Sequence, residues 1–202
     1  MVKRMIMIVL VVIIVVFCAS CDSMDDSSFP YMIKEGEATR NQPGNPYEPH
    51  TIKSYEGIFT FRLVQSYTGE DAIEKLKEMG EKDFSEERLH GLAAALSEEK
   101  LKYMLLEFEA CVEEGYSDGF YCSDVFGNDV WDTELMSKYN YAGLDLRAKA
   151  GLNSYFVVLH EGEQAPAFYV ILAIPEQVTV FRNVIYSNRE YWFEYDLSMN
   201  SK

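Results

Sequence analysis

Residues 102–112 read KYMLLEFEACV, and this stretch decides the predicted fold. The side chains that point one way are Leu106, Phe108, Ala110 and Val112, and those that point the other way are Glu107, Glu109 and Cys111. Alternation of apolar and polar residues with a period of two is typical of a strand with one buried face. We therefore predict a strand over Lys102–Val112 whose apolar face lies against a hydrophobic core.

Further strands and two helices are predicted on either side of this stretch. Upstream, Gly57–Tyr67 alternates in the same way, and helical spacing of apolar residues predicts helices over Glu70–Met79 and Ser85–Leu96. The predicted downstream strands are Asn153–Leu159, Ala167–Ile174, Gln177–Arg182 and Tyr191–Leu197, with a hairpin loop over His160–Pro166. Many short strands with helices only as an insert indicate a mainly β chain, an immunoglobulin-like antiparallel β-sandwich with a short helical insertion.

Two cysteines, Cys111 and Cys122, flank the turn-like segment 114–119 (EGYSDG). If the flanking strands pair about the middle of this turn, the two residues lie opposite each other with Cβ atoms about 4.5–5.5 Å apart. An even pair of cysteines in an exported chain favours a disulfide. Two free thiols are the alternative.

The first 21 residues read MVKRMIMIVLVVIIVVFCASC. Two cations followed by an unbroken apolar run predict a secretory signal peptide. The segment Cys18-Ala19-Ser20-Cys21 resembles the lipobox of bacterial lipoproteins, which implies removal of residues 1–20 and lipidation of Cys21. An uncleaved membrane anchor is the alternative, although a spanning helix needs about 20 apolar residues and this run is shorter. Both interpretations place the remaining chain outside the cytoplasm.

Composition divides the rest of the chain into a tether and one domain. Residues 21–50 are rich in acids, serine, glycine and proline, which predicts a flexible tether that becomes ordered near residues 45–47. Residues 51–202 are long enough for one domain with its own core. The formal net charge of −15 at pH 7 repels phosphate backbones, so nucleic acid is excluded as a partner.

Four stretches of the chain carry a family resemblance. They are Ala38–Pro43 with Asn45-Pro46, Phe61–Val64 with Gly69–Ala72, Lys102–Val112, and Gly151–Leu172. These stretches resemble surface lipoproteins of Gram-positive bacteria that carry a telokin-like, immunoglobulin-type β-sandwich of unknown function, related in fold to a secreted immunoprotective antigen. The resemblance implies a fold and an envelope location. It implies no reaction, because one sandwich scaffold hosts many functions.

No catalytic or cofactor motif stands out in the sequence. The three histidines, His50, His90 and His160, are widely spaced, without the spacing of metal ligands, so we expect no metal site, no cofactor and no enzymatic activity. The carboxylates of a downstream acidic loop are Asp118, Asp124, Asp129 and Asp132. They could hold Ca²⁺, but their spacing matches no EF-hand, and solvated surface acids are the simpler interpretation.

Aromatic residues accompany these acids and form the candidate partner-binding set. They are Tyr116, Phe120, Tyr121, Phe126 and Trp131. Exposed aromatics favour a protein-binding surface, whereas buried ones would fill the sandwich. We therefore expect a non-enzymatic binding or structural domain, lipid-anchored on the outer face of the cell membrane, whose partner is an envelope or extracellular protein. The alternatives are a small-ligand or cation-sensing module, and an envelope enzyme or enzyme inhibitor.

Overall fold

The computed structural model describes residues 29–80, 84–116, 118–121, 146–152, 157–186 and 189–197. Its strands are β1 His50–Lys53, β2 Gly57–Thr68, β3 Leu101–Gly115, β4 Phe120–Tyr121, β5 Val158–Leu159, β6 Gln164–Pro175, β7 Val180–Tyr186 and β8 Glu190–Asp196. Its helices are α1 Glu70–Met79, α2 Glu86–Glu98 and α3 Leu146–Ala150. The prediction of a mainly β chain with antiparallel strands and few helices is confirmed.

Residues 102–112 lie inside a four-stranded antiparallel sheet with the order β1-β2-β3-β6. Strand β3 has β2 on one side and β6 on the other, so that Phe108 faces Leu63 and Phe168. The pairing of β3 with the strand at residue 120, which was the condition for Cys111 and Cys122 to lie opposite each other, is not found among the described residues, where β4 pairs with β5. The predicted hairpin around residues 160–166 is also wrong, because among the described residues β5 pairs with β4 and β6 pairs with β3.

One face of this sheet builds an aromatic core with the β7–β8 hairpin. The predicted inward residues of β3, from Leu106 to Val112, are all buried there. Phe108 stacks on Phe168 with ring centroids 5.3 Å apart, and Phe193 of β8 meets Phe61 edge-on at 5.3 Å. Large aromatic rings bury much apolar surface, so this core is the main source of stability.

The opposite face is covered by helices along only part of its length. Helix α1 has the predicted bounds and ends at Gly80, whose left-handed backbone (φ 67°) donates its N–H to the carbonyl of Lys77. Ser85 occupies the N-cap of α2, but within the described residues its side chain makes no capping hydrogen bond. The helices bury Tyr103 and Leu105 of β3 in a second, helical core. Within the described residues, no helix combines the length and apolarity needed to cross a membrane.

Residues 29–49, which we call the N-terminal strap, pair with strands of two different sheets. The strap pairs with β1, where Ile33 N–H donates to Thr51 O at 3.1 Å. It also pairs with β8, where Gly44 N–H donates to Trp192 O at 2.8 Å. This part of the predicted flexible tether therefore belongs to the domain, because its backbone polar groups find partners on strands that lie far away in sequence.

Candidate functional site

The strap leaves a cleft of about 950 Å³ between itself, the end of β1 and the start of β8. Its apolar lining includes Phe29, Tyr31, Met32, Ile33, Pro49 and Tyr191. Its charged lining consists of Lys34, Lys53, Arg189, Glu35, Glu37 and Glu48. Ligand-binding sites are usually concave and of this size, and this one has a mixed lining of apolar and charged groups.

Arg189 fastens one wall of the cleft. Its Nη2 donates hydrogen bonds to the carbonyl oxygens of Ile33 (3.0 Å) and Lys34 (2.7 Å). Its guanidinium carbon also lies 4.8 Å from the ring centroid of Tyr191. A planar guanidinium can stack on a ring and donate in its own plane at once, so Arg189 ties the strap to β8 and fixes the width of the cleft.

His50 fastens the other wall. Its Nε2 lies 2.7 Å from the carbonyl oxygen of Asn45, and its ring meets Phe193 edge-on with centroids 5.0 Å apart. A carbonyl oxygen only accepts hydrogen bonds, so Nε2 carries the proton and donates. His50 therefore has a structural role, because it connects the strap to β8. Among the described residues, no three His, Cys, Asp or Glu side chains are arranged to hold a metal ion.

The cleft differs from the rest of the molecule in its charge. Its lining holds three lysine or arginine residues and three glutamates, whereas the whole chain has a formal net charge of −15. The groups that line the cleft therefore favour neither an anion nor a cation strongly at close range, although the chain as a whole is negative. The cleft is therefore suited to a ligand with both apolar and charged groups.

A smaller groove of about 250 Å³ lies on the part of the sheet that the described helices leave uncovered, and it shares Tyr31 and Pro49 with the cleft. Arg62 and Glu109 form an ion pair across β2 and β3 here. Cys111 also lines the groove, between Thr60 and Gln164 on the neighbouring strands. Burial, with a smaller effect of Glu113, raises the pKa of the Cys111 thiol, which makes it a poor nucleophile at neutral pH.

A polar cluster marks the edge of the helical layer. The Glu107 carboxylate accepts hydrogen bonds from the hydroxyls of Tyr67 (2.9 Å) and Tyr169 (3.3 Å), and Lys75 Nζ lies 3.6 Å away. Burial and this carboxylate raise the pKa of Tyr67 well above its usual range and that of Tyr169 to about 12. Both phenols therefore stay protonated at neutral pH, so neither can act as a general base.

Two residues of the predicted partner-binding set lie in the aromatic core. Tyr116 is 8% exposed and Phe120 is 1% exposed. Phe120 stacks on Phe59 with centroids 4.6 Å apart, and the Tyr116 hydroxyl lies 2.8 Å from Ser54 Oγ. These two rings therefore pack the interior and are not available on the surface.

The other predicted site residues are only partly described. Tyr121 lies in β4, while Cys21, Cys122, Phe126 and Trp131 lie outside the described residues. Three of the four acids of the suggested calcium loop, at positions 124, 129 and 132, also lie outside them. Cys111 has a free thiol, and its strand partners are Thr60 and Gln164. Since Cys122 lies outside the described residues, the Cys111–Cys122 disulfide stays a prediction.

Sequence reasoning missed the cleft because its walls come from a segment that is polar on average. One signal was present, since the run FPYMI at residues 29–33 is more apolar than its surroundings. Comparison of the chain with protein families, with curated proteins and with solved structures found no match.

Proposed function

We propose that this chain is a non-enzymatic binding domain, lipid-anchored on the outer face of the cell membrane, which holds a segment of a partner protein in the strap cleft. The cleft carries the proposal, because it combines about 950 Å³ of space with a mixed lining of apolar side chains and charges of both signs. Ligand sites commonly enclose about 300–1,000 Å³, so a few residues of a partner chain or a small ligand would fit.

The predicted anchor would hold the cleft near the membrane. Phe29 lines the cleft and follows Cys21, the predicted lipidation site, by eight positions. At about 3.3–3.6 Å per extended residue, this link spans at most roughly 30 Å. A partner in the cell envelope is therefore better placed to reach the cleft than a partner far from the surface.

We also propose that the domain is an immunoglobulin-like sandwich of the telokin-like lipoprotein type. The packing of the β7–β8 hairpin against the central sheet supports a two-sheet arrangement, and the helices on the other face are consistent with a helical insertion. The resemblance of Gly69–Ala72 and Gly151–Leu172 to that family supports the same assignment.

A binding experiment with matched variants tests the proposed function. Tyr31 is 61% exposed and lines the cleft, so Tyr31→Ala removes a contact surface without opening the core. Val64 is 44% exposed and does not line the cleft, so Val64→Ala is the matched control. We expect an envelope protein to be retained by the wild type and the control but not by Tyr31→Ala. Equal retention by all three proteins would refute the cleft as the binding site.

The anchor has its own test. Cys21→Ala in the full chain removes the predicted lipidation site, so we expect the protein to lose its acyl groups and leave the membrane fraction. Mass spectrometry of the membrane-bound protein checks this, with Cys18→Ala as the control. Full acylation of the Cys21→Ala variant would refute the lipobox assignment.

A further inference from the structure

Tyr55 stands at the tip of the β1–β2 hairpin with 91% of its surface exposed. Among the described residues, the other exposed large apolar side chains range from 36% to 61% exposed. Tyr55 does not line the cleft. Its ring therefore contributes almost nothing to the packing of the domain.

The turn that carries Tyr55 is fixed by many hydrogen bonds. Ser54 N–H donates to Gly57 O at 2.7 Å, and Ser54 Oγ accepts from the N–H groups of Glu56 and Gly57 at 3.1 Å each. Ser54 Oγ also bonds the buried Tyr116 hydroxyl, and Tyr116 N–H donates to Glu56 O at 2.9 Å. The turn is thus tied to the end of β3 and holds the Tyr55 backbone in one place.

Close packing adds to this rigidity. A Cβ atom at Gly57 would lie 2.2 Å from the carbonyl oxygen of Glu114, so only glycine fits there. Turn positions favour small polar residues, and nothing in this turn requires an aromatic ring. A tyrosine on a rigid turn is, however, an efficient contact residue, because it offers a large amphipathic surface and loses little conformational entropy on binding.

The surroundings of Tyr55 determine the kind of partner. The adjoining chain ends contribute one cation, Lys53, and four acids, Glu56, Glu114, Asp118 and Glu161, so this end is negative on balance. Glu161 approaches closely enough for its Oε2 to accept from Gly115 N–H at 3.4 Å. Opposite charges across an interface accelerate association and exclude like-charged partners. A basic surface with a pocket for one aromatic ring is the complement of this tip.

We propose that the β1–β2 tip is a second interaction surface, with Tyr55 as the anchor that inserts into a basic partner protein. This inference is independent of the cleft. The cleft is tested at Tyr31 and the tip at Tyr55, so either proposal can fail while the other stands.

Photo-crosslinking in the full chain tests the tip. A benzophenone amino acid placed at position 55 or, as the control, at position 31 is activated in intact cells that produce the protein. We expect one protein with a basic surface to be captured from position 55 and not from position 31. No capture at position 55, capture of the same protein at both positions, or capture of an acidic protein would overturn the proposal.

The captured protein is then purified and its affinity for the chain is measured. Tyr55→Ala is expected to weaken binding by about 10- to 100-fold, as for a central interface anchor, whereas Tyr31→Ala leaves the affinity unchanged. The double variant Glu56→Gln/Asp118→Asn is expected to slow association and reduce its dependence on salt. An affinity of Tyr55→Ala within twofold of wild type, with unchanged melting temperature, would overturn the proposal.

Discussion

The two halves of strand β3 differ in what covers their second face. From Met104 to Val112, one face of the strand is buried in the aromatic core. On the other face, Tyr103 and Leu105 lie under the helices, whereas Glu109 and Cys111 line an open groove. Glu107 lies where the covered half ends, and it gathers the polar cluster described above.

This difference shows that the alternation of side chains along a strand determines which residues share a face. The elements that pack on each face determine whether its residues are apolar or polar. A strand buried on both faces becomes a nearly continuous apolar run, as in residues 103–106. A strand buried on one face keeps the alternation, as in residues 107–112. The change of pattern along one strand therefore marks the edge of the covering layer.

The largest expected effect is on the face that both halves share. Phe108→Ala removes a ring that stacks on Phe168 and is fully buried. We expect the free energy of unfolding to fall by about 3–5 kcal/mol, measured by urea titration. Val64→Ala should change it by less than about 0.5 kcal/mol. A loss below about 1 kcal/mol for Phe108→Ala would contradict the aromatic core.

The covered half is tested next. Leu105 is fully buried in the helical core, so Leu105→Ala should lower the free energy of unfolding by about 2–4 kcal/mol. The same urea titration measures it. An effect as small as that of a surface substitution would mean that the helices do not cover this half of the sheet.

The boundary between the halves should give an intermediate effect. Glu107→Ala removes the acceptor shared by Tyr67 and Tyr169 and leaves Lys75 without this carboxylate. We expect a loss of about 1–2 kcal/mol in the free energy of unfolding. Glu113→Ala, an exposed acid of the same strand, is the control and should change little.

The dependence of stability on alkaline pH also tests the covered half. Burial raises the pKa of Tyr103, in the covered half, to about 12, and burial with Glu107 raises that of Tyr169 to about 12. In the unfolded chain both phenols lose their protons near pH 10. Their stabilising contribution is therefore complete below about pH 10 and is lost as pH rises toward 12. These phenols should leave the urea midpoint unchanged between pH 8 and about 10 and lower it from there to pH 11, less steeply in Tyr103→Phe. Parallel curves would contradict the raised pKa of Tyr103.

The smallest effect is expected in the open half. The Arg62 side chain is 50% exposed in its ion pair with Glu109, and such pairs contribute little in water. Arg62→Ala should lower the free energy of unfolding by less than about 0.5–1 kcal/mol. A loss comparable to that of Leu105→Ala would show that this half of the sheet is covered as well.

Local patterns made the central strands and helix α1 predictable. The alternation in β2 and β3 and the stop at Gly80 are properties of neighbouring residues, so the sequence contains them directly. The pairing of β3 was not predictable in this way, because alternation is satisfied equally by any strand partner. Its neighbours, β2 and β6, were identified only through the three-dimensional packing.

The candidate site was harder to predict than the fold. Spacing alone could not decide whether Tyr116 and Phe120 are exposed or buried, since both outcomes fit a turn followed by a strand. The strap was not predicted, because residues 33–44 are ordered by hydrogen bonds to Trp192 and Arg189. These partners are too distant in sequence to appear in a local pattern. Sites that are formed by contacts between distant residues therefore cannot be predicted from local sequence patterns.

The strap also sets the order in which the fold can be completed during synthesis. Tyr31 and Ile33 can pair with β1 early, but Arg189 reaches Lys34 across 155 residues. At about 5–20 residues per second, a ribosome needs roughly 8 to 30 seconds to add that length of chain. Throughout this interval the second half of the strap has no β8 to bind. Closure of the cleft is therefore among the last events of folding, and a chain stopped short of Arg189 would carry an unfastened strap.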